Sequence, residues 1–114
     1  MKIGHIELNV SDPMKSKEFY EKVLGFEVVV DQGDQIIWLK LGEQELLLRP
    51  GLDVVHSDSC QKSPFNLVFY TDDLIQKKKE LTAKGVEFKG EDQGCPIFTD
   101  PDGNWFQLVN PNDH

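Results

Sequence analysis

Thiols are scarce in this chain. Cys60 and Cys95 are its two cysteines, and neither lies in a C-x-x-C or another metal-ligand spacing. They read as free thiols of a reducing cytosol, which excludes a disulfide framework and a zinc ribbon. Long apolar runs are missing too. None approaches the ~18 residues that cross a bilayer, so no membrane span is expected. The start, Met1-Lys2-Ile3-Gly4-His5, has no apolar signal-peptide core, and a cytoplasmic location is expected. Positive charge is in short supply: 12 Lys and Arg face 20 Asp and Glu, a net charge of −8. Such a surface repels phosphate backbones and anionic membranes, which excludes nucleic acid and membrane as partners. At long range it favours a cationic small molecule.

What is present is globular. Hydrophobic residues make up 39% of the 114, with aromatics well represented. A chain of this length makes one compact domain or two small modules sharing a core, and it can bury about two thirds of its unfolded surface.

An internal repeat organises the chain. The strand pattern His5-Ile6-Glu7-Leu8-Asn9-Val10 returns as Asn66-Leu67-Val68-Phe69-Tyr70-Thr71, 61 positions later. Each leads through an acidic pair or its near equivalent, Ser11-Asp12 and Asp72-Asp73, into a helix. The first helix is predicted over 13–24, with Asp12 as cap, Pro13 in the first turn and Gly25 at the end. Its buried stripe is read as Met14, Phe19, Tyr20, Val23 and Leu24. The second is predicted over 74–84, ended by Gly85, with Leu74, Ile75, Lys78 and Leu81 on or near one face. The Lys77-Lys78-Lys79 run reads as a solvated face.

Three short strands follow each helix: 26–30, 35–41 and 45–49 in the first half, and 86–89, 96–99 and 105–110 in the second. A turn at Gly42-Glu43 joins one pair, and Asp100-Pro101-Asp102-Gly103-Asn104 joins another. The segment between the halves, rich in Gly, Asp, Ser and Pro, reads as a linker with little structure of its own. The expectation is an α+β fold of two βαβββ modules forming a cleft: module one over 1–50, linker over 51–64, module two over 65–114.

Two motifs carry a family resemblance. Ser11-Asp12 through Phe19-Tyr20-Glu21-Lys22-Val23-Leu24-Gly25-Phe26 resembles the helix and turn of the vicinal-oxygen-chelate superfamily. Phe98-Thr99-Asp100-Pro101-Asp102-Gly103-Asn104 resembles its D-P-D-G-N turn. That superfamily includes glyoxalase I, extradiol dioxygenases, fosfomycin-resistance thiol transferases and bleomycin-resistance proteins. The fold it implies hosts several chemistries and some pure binders.

Metal-dependent members take one ligand from the first and last strand of each module, as His, Glu, His and Glu or three of these. The resemblance places these positions at His5, Leu47, Asn66 and Gln107. Only His5 matches. Leu47 cannot ligate, and Glu45, two residues before it on the same face, is the local substitute. Asn66 and Gln107 offer neutral amide oxygens, weak donors for Zn, Mn or Fe. A divalent metal is therefore disfavoured and no cofactor is expected.

Strand alternation puts Glu7 and Asn9 on the side of His5, Val68 and Tyr70 with Asn66, Trp105 and Val109 with Gln107, and Glu45 and Arg49 with Leu47, facing Trp38. The opposite sides carry Ile6, Leu8, Leu67, Phe69, Phe106 and Leu108. Glu7, Trp38, Leu47, Arg49, Asn66, Tyr70, Trp105 and Gln107 thus form an expected ligand-binding set. His5 and Glu45 are candidate catalytic groups, with Glu7 or Glu45 orienting the histidine. The alternative for the aromatics is core filling between modules.

Two functions follow. One is a metal-free binder of a small organic molecule, similar to bleomycin-resistance proteins. The other is a lyase, isomerase or thiol transferase of the glyoxalase kind, using His5 with an atypical metal or none. The resemblance also implies a homodimer.

Overall fold

The first strand follows its alternation. In β1 (Ile6–Val10), Leu8 and Val10 are buried on one side while Glu7 and Asn9 are exposed on the other. The computed structural model describes residues 1–33, 35–51 and 57–113. The chain forms two compact units, Met1–Val55 and His56–His114.

After β1, the Asp12 carboxylate accepts from the Met14 and Lys15 amides at 3.1 and 3.3 Å and caps α1 (Pro13–Glu18). The α-helix is shorter than predicted. Its continuation widens into a π-helical turn, Phe19–Val23, where the Leu24 amide donates to the Phe19 carbonyl at 3.2 Å. Gly25, at φ +82°, then redirects the chain. Tyr20 is fully buried, edge-on to Phe19 and Phe26 with centroids 5.5 Å away. The buried side is Pro13, Ser16 and Tyr20, and Met14 is 42% exposed. The stripe differs in phase from the expected one. Two of its three residues are small, which suits a helix packed on β3 and β4.

The first sheet has the order β1-β4-β3-β2, with β2 (Glu27–Gln32), β3 (Ile36–Leu41) and β4 (Gln44–Pro50). β2, β3 and β4 run antiparallel in turn, and β4 closes parallel to β1. This sets Glu7 opposite Leu47 and Asn9 opposite Arg49. The sheet's share of the core is aliphatic: Val10, Ile37, Leu39, Leu46 and Leu48 are fully or almost fully buried beside Tyr20 and Phe26.

The second unit repeats the plan. β5 (Asn66–Tyr70), α2 (Leu74–Ala83), β6 (Glu91–Asp92), β7 (Cys95–Thr99) and β8 (Trp105–Val109) form a sheet of order β5-β8-β7-β6. β8 lies parallel to β5, with Val68 opposite Gln107. The two-module α+β architecture is the one expected. Asp73 caps α2, accepting from the Gln76 amide at 3.0 Å. Leu81 anchors the helix in the core, whereas Ile75, expected on its apolar face, is 72% exposed. This core is aromatic: Phe69, Phe88, Phe98 and Phe106 pack with centroids 5.2–6.5 Å apart.

One predicted strand is displaced. Residues 86–89 are not a strand. The chain bends at Gly90 (φ +102°) and pairs regularly with β7 only at β6. Pro96 of β7 has no amide hydrogen to give β6, which keeps this edge short. Gln93 and Gly94, at φ +52° and +82°, make the two-residue turn between β6 and β7.

Asp100 organises the next turn. Its buried carboxylate accepts from the Asp102 and Asn104 amides and the Asn104 side chain at 2.8–2.9 Å. This aligns β7 with β8 and puts Ile97 opposite Gln107.

Residues 52–56 of the expected linker lie outside the described residues. Residues 57–63, also assigned to it, have definite structure. A 3₁₀ turn, Cys60–Lys62, is capped by Ser59, and Cys60 is 1% exposed against Ile97 and Trp105. Both cysteines are free and buried. No helix among the described residues is long and apolar enough to cross a membrane.

Candidate functional site

Each sheet has one face against its helix and one face turned away. The away-facing side of the first sheet collects His5, Glu7, Trp38, Glu45, Leu47 and Arg49. The parallel register that sets Glu7 beside Leu47, and the antiparallel one that sets Trp38 beside Leu47, make this grouping. Leu47 is a buried apolar floor, and the charged groups stand exposed around it.

The polar groups of this face are wired together. Arg49 Nη1 donates to Glu7 Oε1 at 2.9 Å, and His5 Nε2 meets Glu7 Oε2 at 3.0 Å. Trp38 holds the imidazole edge-on, centroids 4.7 Å apart at 65°. The hydrogen bond from His5, then that from Arg49, keeps the Glu7 carboxyl below its ordinary value of 4.5. With Nε2–H donated to Glu7, a neutral His5 keeps its lone pair on Nδ1. That is the tautomer of an imidazole base oriented by a carboxylate. Of the two carboxylates named for orienting His5, Glu7 is the one that contacts it. Glu45 is exposed and lies across from Lys40.

The away-facing side of the second sheet collects Asn66, Tyr70, Trp105 and Gln107. Asn66 stands opposite Trp105, and Tyr70, on the edge strand β5, is 74% exposed. Gln107 Nε2 donates to Asp92 Oδ2 at 3.2 Å and to Cys60 Sγ at 3.3 Å. Asn66 Nδ2 donates to the Cys60 carbonyl at 3.4 Å, and Trp105 Nε1 to the Ser57 carbonyl at 2.8 Å. The Asn66 Oδ1 atom is buried and meets no donor.

The repeat register equates His5 with Asn66 and Leu47 with Gln107. Glu7, two residues after His5, pairs with Leu47; Val68, two after Asn66, pairs with Gln107. These are the four positions at which the resemblance implies a metal. The donor set does not fit one. Leu47 has no donor atom, and the Gln107 and Asn66 side chains are neutral amides already bonded to the 57–63 segment. His5 is the single ordinary metal donor among the four. Among the described residues, no group of three His, Cys, Asp or Glu is arranged to hold a metal ion.

Sequence reasoning missed Cys60 and Asp92, the two partners of Gln107. A lone cysteine within a polar linker was a signal for the first. The second carried none, because β6 begins later than the strand predicted there. The Glu7–Arg49 pair was also not foreseen, since it crosses two strands brought together only by the parallel pairing.

The profile of the Glyoxalase/Bleomycin resistance protein/Dioxygenase superfamily matches residues 2–108. The uncharacterized protein YetH of Bacillus subtilis (strain 168) is 30% identical, over 93% of this chain and 95% of its own. The metallothiol transferase FosB of Lysinibacillus sphaericus (strain C3-41) is 29% identical, over 93% of this chain and 79% of its own. Among solved structures, TnmS3, an antibiotic binding protein from Streptomyces sp. CB03234, superposes with a TM-score of 0.72. It is 27% identical, with 97% of this chain and 98% of that one covered.

Proposed function

The chain belongs to the Glyoxalase/Bleomycin resistance protein/Dioxygenase superfamily, and from that premise we propose that it binds a small organic molecule without the help of a metal. The carrying observation is the state of Gln107. Where metal-dependent relatives present a carboxylate, this chain presents an amide already shared between Asp92 and Cys60. Leu47 at the equivalent position of the first unit adds an apolar floor instead of a ligand.

The away-facing side of the first sheet supplies what such a ligand needs. Trp38 and Leu47 offer apolar surface, and the His5–Glu7–Arg49 chain offers charge and hydrogen bonds at its border. The likeness to TnmS3, an antibiotic binding protein, supports a binding role. We further propose that the chain acts in the cytoplasm as a homodimer. Val68 and Tyr70 on edge strand β5, and Val30 and Ile36 on β2 and β3, are exposed apolar side chains suited to a subunit contact.

The test is elemental analysis of tag-free protein purified without chelator, with metal titrations followed by tryptophan fluorescence. Sub-stoichiometric metal and no titration, together with thermal stabilisation by at least one member of a small-molecule library, is the expected outcome. Near-stoichiometric metal that disappears in His5→Ala rejects the proposal.

The 3.0 Å His5–Glu7 contact favours a second reading. In it the chain is an enzyme, a lyase, isomerase or thiol transferase, with His5 as general base oriented by Glu7. The relative FosB, a metallothiol transferase, is in keeping with it. Turnover in lyase or thiol-transferase assays, lost equally in His5→Ala and Glu7→Gln, would establish this reading over simple binding.

A further inference from the structure

Residues 57–63 lie on the second sheet as a bound ligand would. Three side chains on neighbouring strands aim N–H donors at this segment: Trp105 at the Ser57 carbonyl, Asn66 at the Cys60 carbonyl and Gln107 at the Cys60 sulfur. The segment meets them with acceptors. The Cys60 side chain fills the apolar spot between Ile97 and Trp105. A donor-lined, partly apolar surface is therefore occupied by a short stretch of the chain's own carbonyls.

The clasp is weak by its geometry. One of the three hydrogen bonds has ordinary length, 2.8 Å. The Asn66 bond, at 3.4 Å, is long, and the Gln107 bond ends on sulfur, a poor acceptor. Asn66 Oδ1 is buried without a donor, a penalty that water or a ligand N–H relieves once the segment lifts. The segment is also laced to itself. Ser57 Oγ donates to the Lys62 carbonyl at 3.1 Å, and Ser59 Oγ accepts from the Lys62 amide at 3.3 Å. It can leave the sheet as a unit without losing its own shape.

We propose that residues 57–63 are a displaceable plug, a built-in stand-in for a ligand on the second sheet, and that the surface beneath accepts an amide-bearing molecule such as a lactam. The plug shows which groups are recognised: a carbonyl for Trp105, another for Asn66, and an apolar body for Ile97. The orphaned Asn66 oxygen adds a demand for a donor N–H, which an amide supplies and a ketone or ester does not. This inference rests on the binding reading above and sharpens it to a ligand class.

The test uses the two buried thiols of the full chain. Iodoacetamide labelling is followed separately at Cys60 and Cys95 by peptide mass spectrometry, in buffer and in sub-denaturing urea. A plug opens locally, so Cys60 is expected to label faster than Cys95 at a rate nearly independent of urea. Trp105→Phe keeps the apolar contact and removes one hydrogen bond. It is expected to raise the Cys60 rate about fivefold, the factor for a bond worth about 1 kcal/mol, and to leave Cys95 unchanged. High concentrations of 2-pyrrolidinone should accelerate Cys60 labelling and shift the Trp105 indole N–H resonance. N-methylpyrrolidinone, which lacks the donor, should do so less.

Equal labelling of both cysteines, rising together with urea, would overturn the plug, because the segment would then be part of the core. Equal effects of the two lactams, or none, would overturn the assigned ligand class. Neither readout involves metal content or a ligand library, so failure here is distinguishable from failure of the metal-free binding reading.

Discussion

The first unit sets a buried Leu47 on its away-facing side and borders it with the His5–Glu7–Arg49 chain. The second covers the equivalent face around Gln107 with residues 57–63 and holds the cover by neutral amides. The strand order and the parallel pairing of first and last strands are the same in both. The repeat thus fixes where side chains stand and leaves open what they do. The metal-ligand positions have diverged by two routes: an apolar residue in one unit, an amide tied into a local network in the other. The strand residues that face the core diverge as well, aliphatic in the first unit and rich in phenylalanine in the second.

The strongest way to break this comparison is through the cores. Phe98→Ala removes a fully buried ring from the aromatic cluster and is expected to cost about 3–5 kcal/mol in urea unfolding. Trp38 and Trp105 report on the two units separately. Loss of the Trp105 signal at lower urea than the Trp38 signal would mean that each unit keeps a stability of its own.

A smaller effect sharpens the contrast at the metal positions. Gln107→Glu sets a second carboxylate against Asp92 and is expected to cost about 2 kcal/mol at neutral pH. Two such carboxylates share a proton, so the folded pair's upper pKa rises above the unfolded value. The lost stability should therefore return as pH falls, and a thermal-melting series against pH checks the slope. A gain of stability of the unaltered chain on adding zinc would contradict the poor fit of its donor set to a metal.

The helix caps differ next. Asp12 accepts two amide hydrogen bonds and Asp73 one, so Asp12→Ala should destabilise more than Asp73→Ala, each by about 1 kcal/mol. Equal losses in denaturant titrations would mean the second bond to Asp12 contributes little.

The smallest effect is electrostatic. Glu7 titrates below its ordinary 4.5 because His5 and Arg49 bond its charged form. A depressed carboxyl contributes stability that is present above 4.5 and fades as pH drops through the folded-state value. Glu7→Gln should flatten that acid-side loss slightly. An unchanged acid limb would place the contribution elsewhere.

Much of this was legible in the sequence. The 61-position shift between His5 and Asn66 anticipated the matching registers, because strand alternation and a repeat together determine which side chains share a face. Asp12-Pro13 and Asp100 through Asn104 announced their cap and turn, since those interactions are local in sequence. The π-helical turn was not legible, because it differs from an α-helix by one residue per turn and keeps the same composition. β6 escaped detection because Gly90, Gln93 and Gly94 break any alternation around it. The cover on the second sheet escaped because two of its three hydrogen bonds join residues 47 or 48 positions apart, along a path no local pattern encodes.

The position of β8 bears on the timing of synthesis. It lies between β5 and β7, so the strand of this sheet made last is an interior one. The first unit has all four of its strands by Pro50 and can assemble while the remainder is being made. The second unit must wait for β8 before β5 has a strand to pair with, and for Val109 before that pairing is complete. A nascent chain that has emerged only as far as the Asp100 turn therefore holds one finished sheet and strands with an open slot where β8 belongs. That nascent species is the one most exposed to strand exchange with a neighbouring chain.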